Sequence, residues 1–208
     1  MMINIDRRWD KLEVHVRNSP YVIVSMGTEG YKDGMDVLSD SCARLELSLL
    51  LWRVSGPDDR SVCDLKPQIM QESSWHAGMP CVWVDADDDL LEAPGLTSDH
   101  FERADVILSD NPELKIMKTH LTFASTFGVA PSKGGRAFLK QWEVCTATED
   151  LFGAAHRAHD HRALHMAYYM AYGRAKPRCV FLNATEAFRG CQIIRTSAES
   201  SRRMDIVS

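Results

Sequence analysis

The stretch Cys81-Val82-Trp83-Val84-Asp85-Ala86-Asp87-Asp88-Asp89 decides how the chain is read. Four mostly apolar residues run straight into a cluster of acids. A continuous apolar run with an abrupt polar end predicts a buried strand that surfaces at its C-terminal tip. Asp85 and Asp87 lie two apart, so in extended geometry both project from the same side of the chain. Carboxylates so placed repel each other unless positive charge sits between them, and their oxygens suit hard divalent ions such as Mg²⁺ and Mn²⁺. A solvated acidic turn is the plainer reading of so short a motif. What favours a site is position, because open α/β sheets place their ligands at the carboxyl ends of their strands. Leu90, Leu91, Ala93 and Pro94 then predict that the chain turns away promptly.

Working outward toward the N-terminus, Tyr21 to Met26 is the first clear strand, and Leu12 to Val16 alternates as a short edge strand or part of a helix. The loop Gly27-Thr28-Glu29-Gly30-Tyr31 follows the first strand. It suits either a nucleotide-meeting turn or an ordinary strand-to-helix connection. Met35 to Leu47 reads as a helix with Val37, Leu38, Cys42, Leu45 and Leu47 on its apolar face. Leu49 to Val54 is a second strand, and Ser55 to Asp59 a turn. Lys66-Pro67 opens the next helix, with proline where its missing N–H costs least. Ile69, Met70 and Trp75 are expected to face inward, and Gly78-Met79-Pro80 to stop the helix before the acidic strand. The order β-α-β-α-β predicts parallel strands with helices over the sheet faces.

Beyond the acids, Ala104 to Leu108 is a short strand, and Phe123 to Ala130 leads through small residues into another. Arg136 to Thr146 is an amphipathic helix with Phe138, Leu139 and Trp142 inside. His156, His159, Asp160 and His161 crowd together ahead of Ala163 to Tyr172. His161 and His165 have a spacing that can hold a metal on a helix, but no glutamate sits between them as a metalloprotease needs. A polar helix start with Asp160 near the N-cap is the alternative. Cys179 to Asn183 is a last buried strand, and residues 196–208 form a polar tail.

At 208 residues the chain suits one domain. Its net charge of -5 excludes an overall basic grip on nucleic acid and leaves only local patches open. Arg136, Lys140, Arg157, Arg162, Arg174, Lys176 and Arg178 are candidates for such a patch. The six cysteines lack any C-x-x-C pair, several lie in apolar runs, and a reducing, cytoplasmic setting is expected, in the producing cell or in a phage-infected host. No apolar run reaches the ~18 residues of a membrane span, and Met1 to Asp10 has no signal-peptide core.

The order of these landmarks resembles the GT-A-type glycosyltransferases, nucleotide-diphospho-sugar transferases with a D-x-D metal motif. Lys66-Pro67, Trp83 to Asp87, Ala104-Asp105-Val106, Phe127 to Pro131 with Phe138 to Trp142, His159-Asp160-His161 and Phe181-Leu182-Asn183 carry the likeness, roughly from Tyr21 to Phe188. His161 stands where glutamine is usual, and Phe127 where asparagine with threonine or serine is common nearby. The resemblance implies a Rossmann-like, mostly parallel central sheet flanked by helices, in a single domain over residues 1–195. The nucleotide-sugar half would fall at about 20–90 and the acceptor half at about 100–190. It further implies Mn²⁺ or Mg²⁺ on Asp85 and Asp87, and a nucleotide-diphosphate sugar, a UDP-sugar first, held by Ser25, Gly27, Thr28, Tyr31, Lys66, Asp85 and Ala86. Asp160 would act on an acceptor hydroxyl, with Phe127, Gly128, His159, His161 and Asn183 on the acceptor side. His156, His159 and Asn183 are candidates for a third metal ligand. The acceptor is open: a glycan, a protein, a lipid-linked sugar, or a hydroxymethylated base in phage-type DNA. A non-catalytic nucleotide-sugar-binding module and a nucleotidyltransferase on a similar fold are the alternatives.

Overall fold

The computed structural model describes residues 9–55, 63–110, 122–151, 159–174, 176–183 and 191–193. Nine strands and five α-helices are assigned among them. The strands are β1 (Trp9–His15), β2 (Val22–Gly27), β3 (Ser48–Val54), β4 (Cys81–Val84), β5 (Asp88–Leu90), β6 (Val106–Asp110), β7 (Thr122–Val129), β8 (Cys179–Asn183) and β9 (Cys191–Ile193). The helices are α1 (Lys32–Arg44), α2 (Lys66–Ala77), α3 (Ser98–Arg103), α4 (Lys133–Leu151) and α5 (His159–Arg174).

Seven strands form one sheet in the order β1-β3-β2-β4-β7-β6-β8. β3, β2, β4, β6 and β8 run one way, and β1 and β7 run against them. The mostly parallel sheet expected from the sequence is therefore present, and β1 takes the edge-strand form of its two readings. β2, β3 and β4 are apolar on both faces because helices cover both. On one face Val24, Trp52, Trp83, Phe127 and Leu108 pack under α2, α4 and α5, through Ile69, Met70, Phe138, Leu139, Trp142 and Leu164. On the other, Ile23, Leu51, Val82, Val84 and Ile107 pack under α1 and α3, through Met35, Leu38, Cys42 and Phe101.

Local sequence accounts for most boundaries. Pro67 sits in the first turn of α2, and Gly78 ends that helix in the left-handed region (φ 61°) that a side-chain-bearing residue disfavours. Trp75 corrects the expected inward face of α2. It is 81% exposed, whereas Ile69 and Met70 are buried as expected, together with Lys66, Pro67, Ser73 and Ser74. One of those serines takes the Trp52 indole N–H at 2.9 Å, so a small polar side chain fills the position. Val37, in the middle of α1, is likewise exposed, while Leu47 is buried just after α1 has ended. Cys42, Cys81 and Cys145 are buried free thiols, and burial pushes Cys42 and Cys81 up to about 12, which keeps them protonated. The turn 56–59 and the tail 196–208 lie outside the described residues.

At the end of the sheet where β6 and β8 begin, Asp105 fastens three segments. Its carboxylate accepts from the Arg178 backbone N–H (2.8 Å), the Arg178 guanidinium (3.2 Å) and the Ser132 hydroxyl (2.6 Å). Burial alone would raise Asp105, but Arg178 and Ser132 outweigh it and hold the carboxyl below its usual range. A Cβ added to Gly134 would lie 2.4 Å from the Asp105 carboxyl group. Asp105→Ala strands the backbone N–H and the hydroxyl together, so urea unfolding should show a loss of about 1–3 kcal/mol. Gly134→Ala should also destabilise. Unchanged midpoints in both variants would contradict the fastening role.

Candidate functional site

The carboxyl ends of β2, β3, β4, β6 and β8 lie along one edge of the sheet, where Thr28 follows β2, Asp85 follows β4 and Asn183 ends β8. Antiparallel β7 enters the sheet from that same edge, so its first residues lie beside the end of β4. The Asp85 N–H donates to the Ser125 carbonyl at 3.2 Å. The chain then turns at once, closed by the Asp88 N–H on the Asp85 carbonyl at 3.1 Å. The N-terminal ends of α1, α2 and α5 come to this edge because each helix runs back along the parallel strand it accompanies.

Asp85 is held firmly. Trp83 and Asp85 share one side of the chain, and the Trp83 indole N–H donates to Asp85 Oδ1 at 2.7 Å. Lys66, in the first turn of α2, places its ammonium 2.9 Å from the same oxygen. That lysine is only 3% exposed, and a buried ammonium needs compensation. It finds Asp85, the Ala124 carbonyl at 3.1 Å and the face of Trp83 at 5.5 Å from the ring centre. The sequence suggests Lys66 as a ligand contact or a surface helix start. The structure makes it the buried counter-charge of the acidic turn.

The remaining acids divide by environment. Asp87 is partly exposed at the turn. Asp89 faces α1, where the Ser41 hydroxyl donates to it at 2.5 Å. Asp88 corrects the picture of a wholly solvated tip. It opens β5, which pairs with β9, and is 3% exposed. Burial, and then the charges of Asp85 and Asp87, push its carboxyl up to about 8 against the opposing pull of Lys66. The turn thus gathers four carboxyl groups around the buried Lys66 ammonium, with Arg44 4.0 Å from Asp89. Partly exposed carboxylate oxygens in such a cluster fit a hard divalent cation. Among the described residues, no group of three or more His, Cys, Asp or Glu could hold a metal by itself. A cation on Asp85 and Asp87 would need oxygens from its ligand.

α1 closes one side of the turn. A Cβ on Gly34 would lie 2.4 Å from the Ala86 carbonyl oxygen, so glycine is what lets the first turn of α1 approach the acids. Gly27 is similarly tight against Met35, at 2.8 Å, and the loop folds back with the Tyr31 N–H on the Thr28 carbonyl at 2.9 Å. Thr28 and Tyr31 are partly exposed beside this turn. Ser25 is fully buried, and its hydroxyl has no hydrogen-bond partner among the described residues. Phe127 is fully buried too, stacked on Trp83 at 6.0 Å and edge-on to Trp142 at 5.1 Å. Neither offers surface to a ligand, because the sheet and its helices enclose both. Gly128 fits under the Phe101 ring, with 3.0 Å left for a Cβ.

On the α5 side, His161 Nδ1 accepts the Ala124 N–H at 2.7 Å. His165 instead meets the Tyr169 ring at 4.9 Å, and burial lowers its pKa. His159 and Asp160 belong to the first turn of α5, and Asn183 ends β8, paired with Asp110 in register. His156 and the side chains of His159, Asp160 and Asn183 lie outside the described residues. Trp83 is the site residue that sequence reading missed. Its two-residue spacing from Asp85 on a strand is the signal that could have found it.

No protein-family model matches the chain, and no curated protein matches it in sequence. A solved structure does match. It is that of a glycosyltransferase involved in the glycosylation of the major capsid of PBCV-1. The likeness covers 90% of this chain and 100% of that one, with a TM-score of 0.57 and 12% identity. The two chains share a fold. At that identity the fold is what the comparison establishes, and the chemistry has to be argued from the turn itself.

Two outcomes follow from the electrostatics. Asp85→Ala leaves the Lys66 ammonium buried without its carboxylate, and should cost about 3 kcal/mol in chemical unfolding. Adding Lys66→Met should recover most of that loss; no recovery would contradict the pairing. Without divalent cations, native Asp88 keeps its proton up to about 8, whereas the unfolded chain releases it near the ordinary aspartate value. The native state then binds more protons, so stability falls as pH rises across that window. Asp88→Asn should flatten the fall between pH 5 and pH 8.5, and an unchanged slope would contradict a buried, protonated Asp88.

Proposed function

We propose that the protein is a GT-A-type glycosyltransferase that uses a divalent cation to move a sugar from a nucleotide-diphosphate donor to an acceptor hydroxyl. The observation that carries this reading is the Asp85–Asp88 turn. It sits at the carboxyl edge of a fold shared with a glycosyltransferase, and Lys66 and Trp83 fix its first carboxylate.

Loss of a nucleotide diphosphate builds negative charge on the leaving oxygen. Asp85 and Asp87 would hold a divalent cation, which when bound would supply counter-charge to the leaving diphosphate. The chain's own residues do the rest. Asp85 and Asp87 supply hard oxygen ligands. Lys66 and Trp83 hold Asp85 in one orientation, so little is spent on reorganising it when the donor arrives. Gly34 lets the start of α1 lie close to the turn, and Thr28 and Tyr31 stand beside it for the nucleoside. Asp160, in the first turn of α5, would orient the acceptor hydroxyl and take its proton.

A nucleotidyltransferase on a similar fold would want free basic charge in the loop after β2. The lysine there, Lys32, is paired with Asp36, which weighs against that reading. Two of the basic residues that suggested a DNA acceptor are also committed or misplaced. Lys140 pairs with Glu143 at 2.6 Å, and Arg178 is bound to Asp105 where β8 begins, at the far end of the sheet from the acids. Among the described residues no helix is long and apolar enough to cross a membrane.

Asp87 gives the cleanest test, because Asp85 is coupled to Lys66. With Mn²⁺ present, a UDP-, GDP- or CDP-sugar should raise the melting temperature of the wild type, since ligand binding to the folded form stabilises it. Asp87→Ala should abolish that rise and cut sugar turnover by roughly 100-fold or more. Asp160→Asn should keep the rise and lose turnover by a similar factor. An Asp87→Ala variant with normal turnover would defeat the cation assignment.

A further inference from the structure

β7 slips against β6 at the functional edge. Leu108 pairs with Phe127, yet the next residue, Ser109, pairs with Phe123, so residues 124–126 bulge from that ladder. A bulge leaves backbone groups without ladder partners, and Ala124 is fully buried. Two side chains from different helices satisfy it. The Ala124 N–H donates to His161 Nδ1 at 2.7 Å, and the Ala124 carbonyl accepts from Lys66 Nζ at 3.1 Å. Lys66 in turn lies 2.9 Å from Asp85 Oδ1. One residue of β7 thereby ties the first turn of α5 to the first turn of α2, and through Lys66 to the acidic turn. Because Nδ1 accepts, the ring carries its proton on Nε2.

We propose that His161 is a positioning residue for the donor-side carboxylate. It fixes the Ala124 bulge, the bulge seats Lys66, and Lys66 aims Asp85. The effect on donor binding rests on the glycosyltransferase reading, whereas the mechanical link between His161 and Lys66 does not. The acidic turn and the α5 end of the site then form one hydrogen-bonded unit.

The test uses His161→Ala, His161→Asn, Lys66→Met and the His161→Ala/Lys66→Met double variant of the full chain. The Asn side-chain oxygen occupies the place of Nδ1 and can accept the same N–H. In urea unfolding, the double variant's equilibrium constant should differ at least about threefold from the product of the single effects, as for residues sharing one network. Calorimetry with UDP, GDP and CDP, each with Mn²⁺, should show His161→Ala weakening the nucleotide that binds by about tenfold, with His161→Asn restoring most of the affinity. Independent effects on unfolding would overturn the link. Equal losses in His161→Asn and His161→Ala would overturn it as well, because the ring itself would then be the contact. If the wild type takes up none of the three nucleotides, the glycosyltransferase reading fails, and the unfolding cycle alone decides whether His161 seats Lys66.

Discussion

A lysine ammonium closed off from solvent is the constraint that the functional edge is built around. Lys66 cannot shed its charge into water, so the fold supplies a carboxylate, a carbonyl and an aromatic face around it. The partners come from two places in the chain: Trp83 and Asp85 from β4 and its end, and Ala124 from the β7 bulge. Satisfying one charge therefore fixes the relative position of a helix start and two neighbouring antiparallel strands. Asp85 is aimed as a by-product of that requirement. A carboxylate immobilised before any ligand arrives is the kind of group that can stabilise charge developing elsewhere.

The rest of the molecule makes this arrangement possible. Two apolar layers, one under α1 and α3 and the other under α2, α4 and α5, hold β4 in the middle of the sheet. The rings of Trp83 and Phe127, stacked, and Trp142, edge-on to Phe127, lie behind the turn and give it a rigid floor. Glycine is needed at position 34, where α1 meets the Ala86 carbonyl, because any side chain there would push the helix off the acids. At the opposite end of the sheet, Asp105 secures β6, the start of α4 and the start of β8, leaving the site edge free of that duty.

Much of the fold was legible because its signals are local. Leu49 to Val54 and Cys81 to Val84 read as strands from unbroken apolar runs, and α2 announces itself through Lys66-Pro67 and Gly78. Trp75 shows where composition misleads. A tryptophan reads as core, yet the packed side of α2 is filled by Ile69, Met70 and two serines, which leaves position 75 on the outer side. The acids were found as a group but not sorted. Asp88 is buried because β5 pairs with β9, roughly a hundred residues away, and nothing near Asp88 in sequence signals that partner. The β7 bulge is equally silent: Ala124-Ser125-Thr126 shows only as a run of small residues. The link from His161 to Asp85 needs that bulge, so it emerges only in three dimensions.

Asp85 and Asp87 are proposed to hold a divalent cation against a donor diphosphate. A crystal grown with Mn²⁺ and a nucleotide-diphosphate sugar, with data collected at the manganese absorption edge, tests it most directly. The account predicts an anomalous peak touching both carboxylates and the two phosphates, with Lys66 still on Asp85. A well-ordered donor bound elsewhere, or a manganese peak remote from the turn, would contradict it.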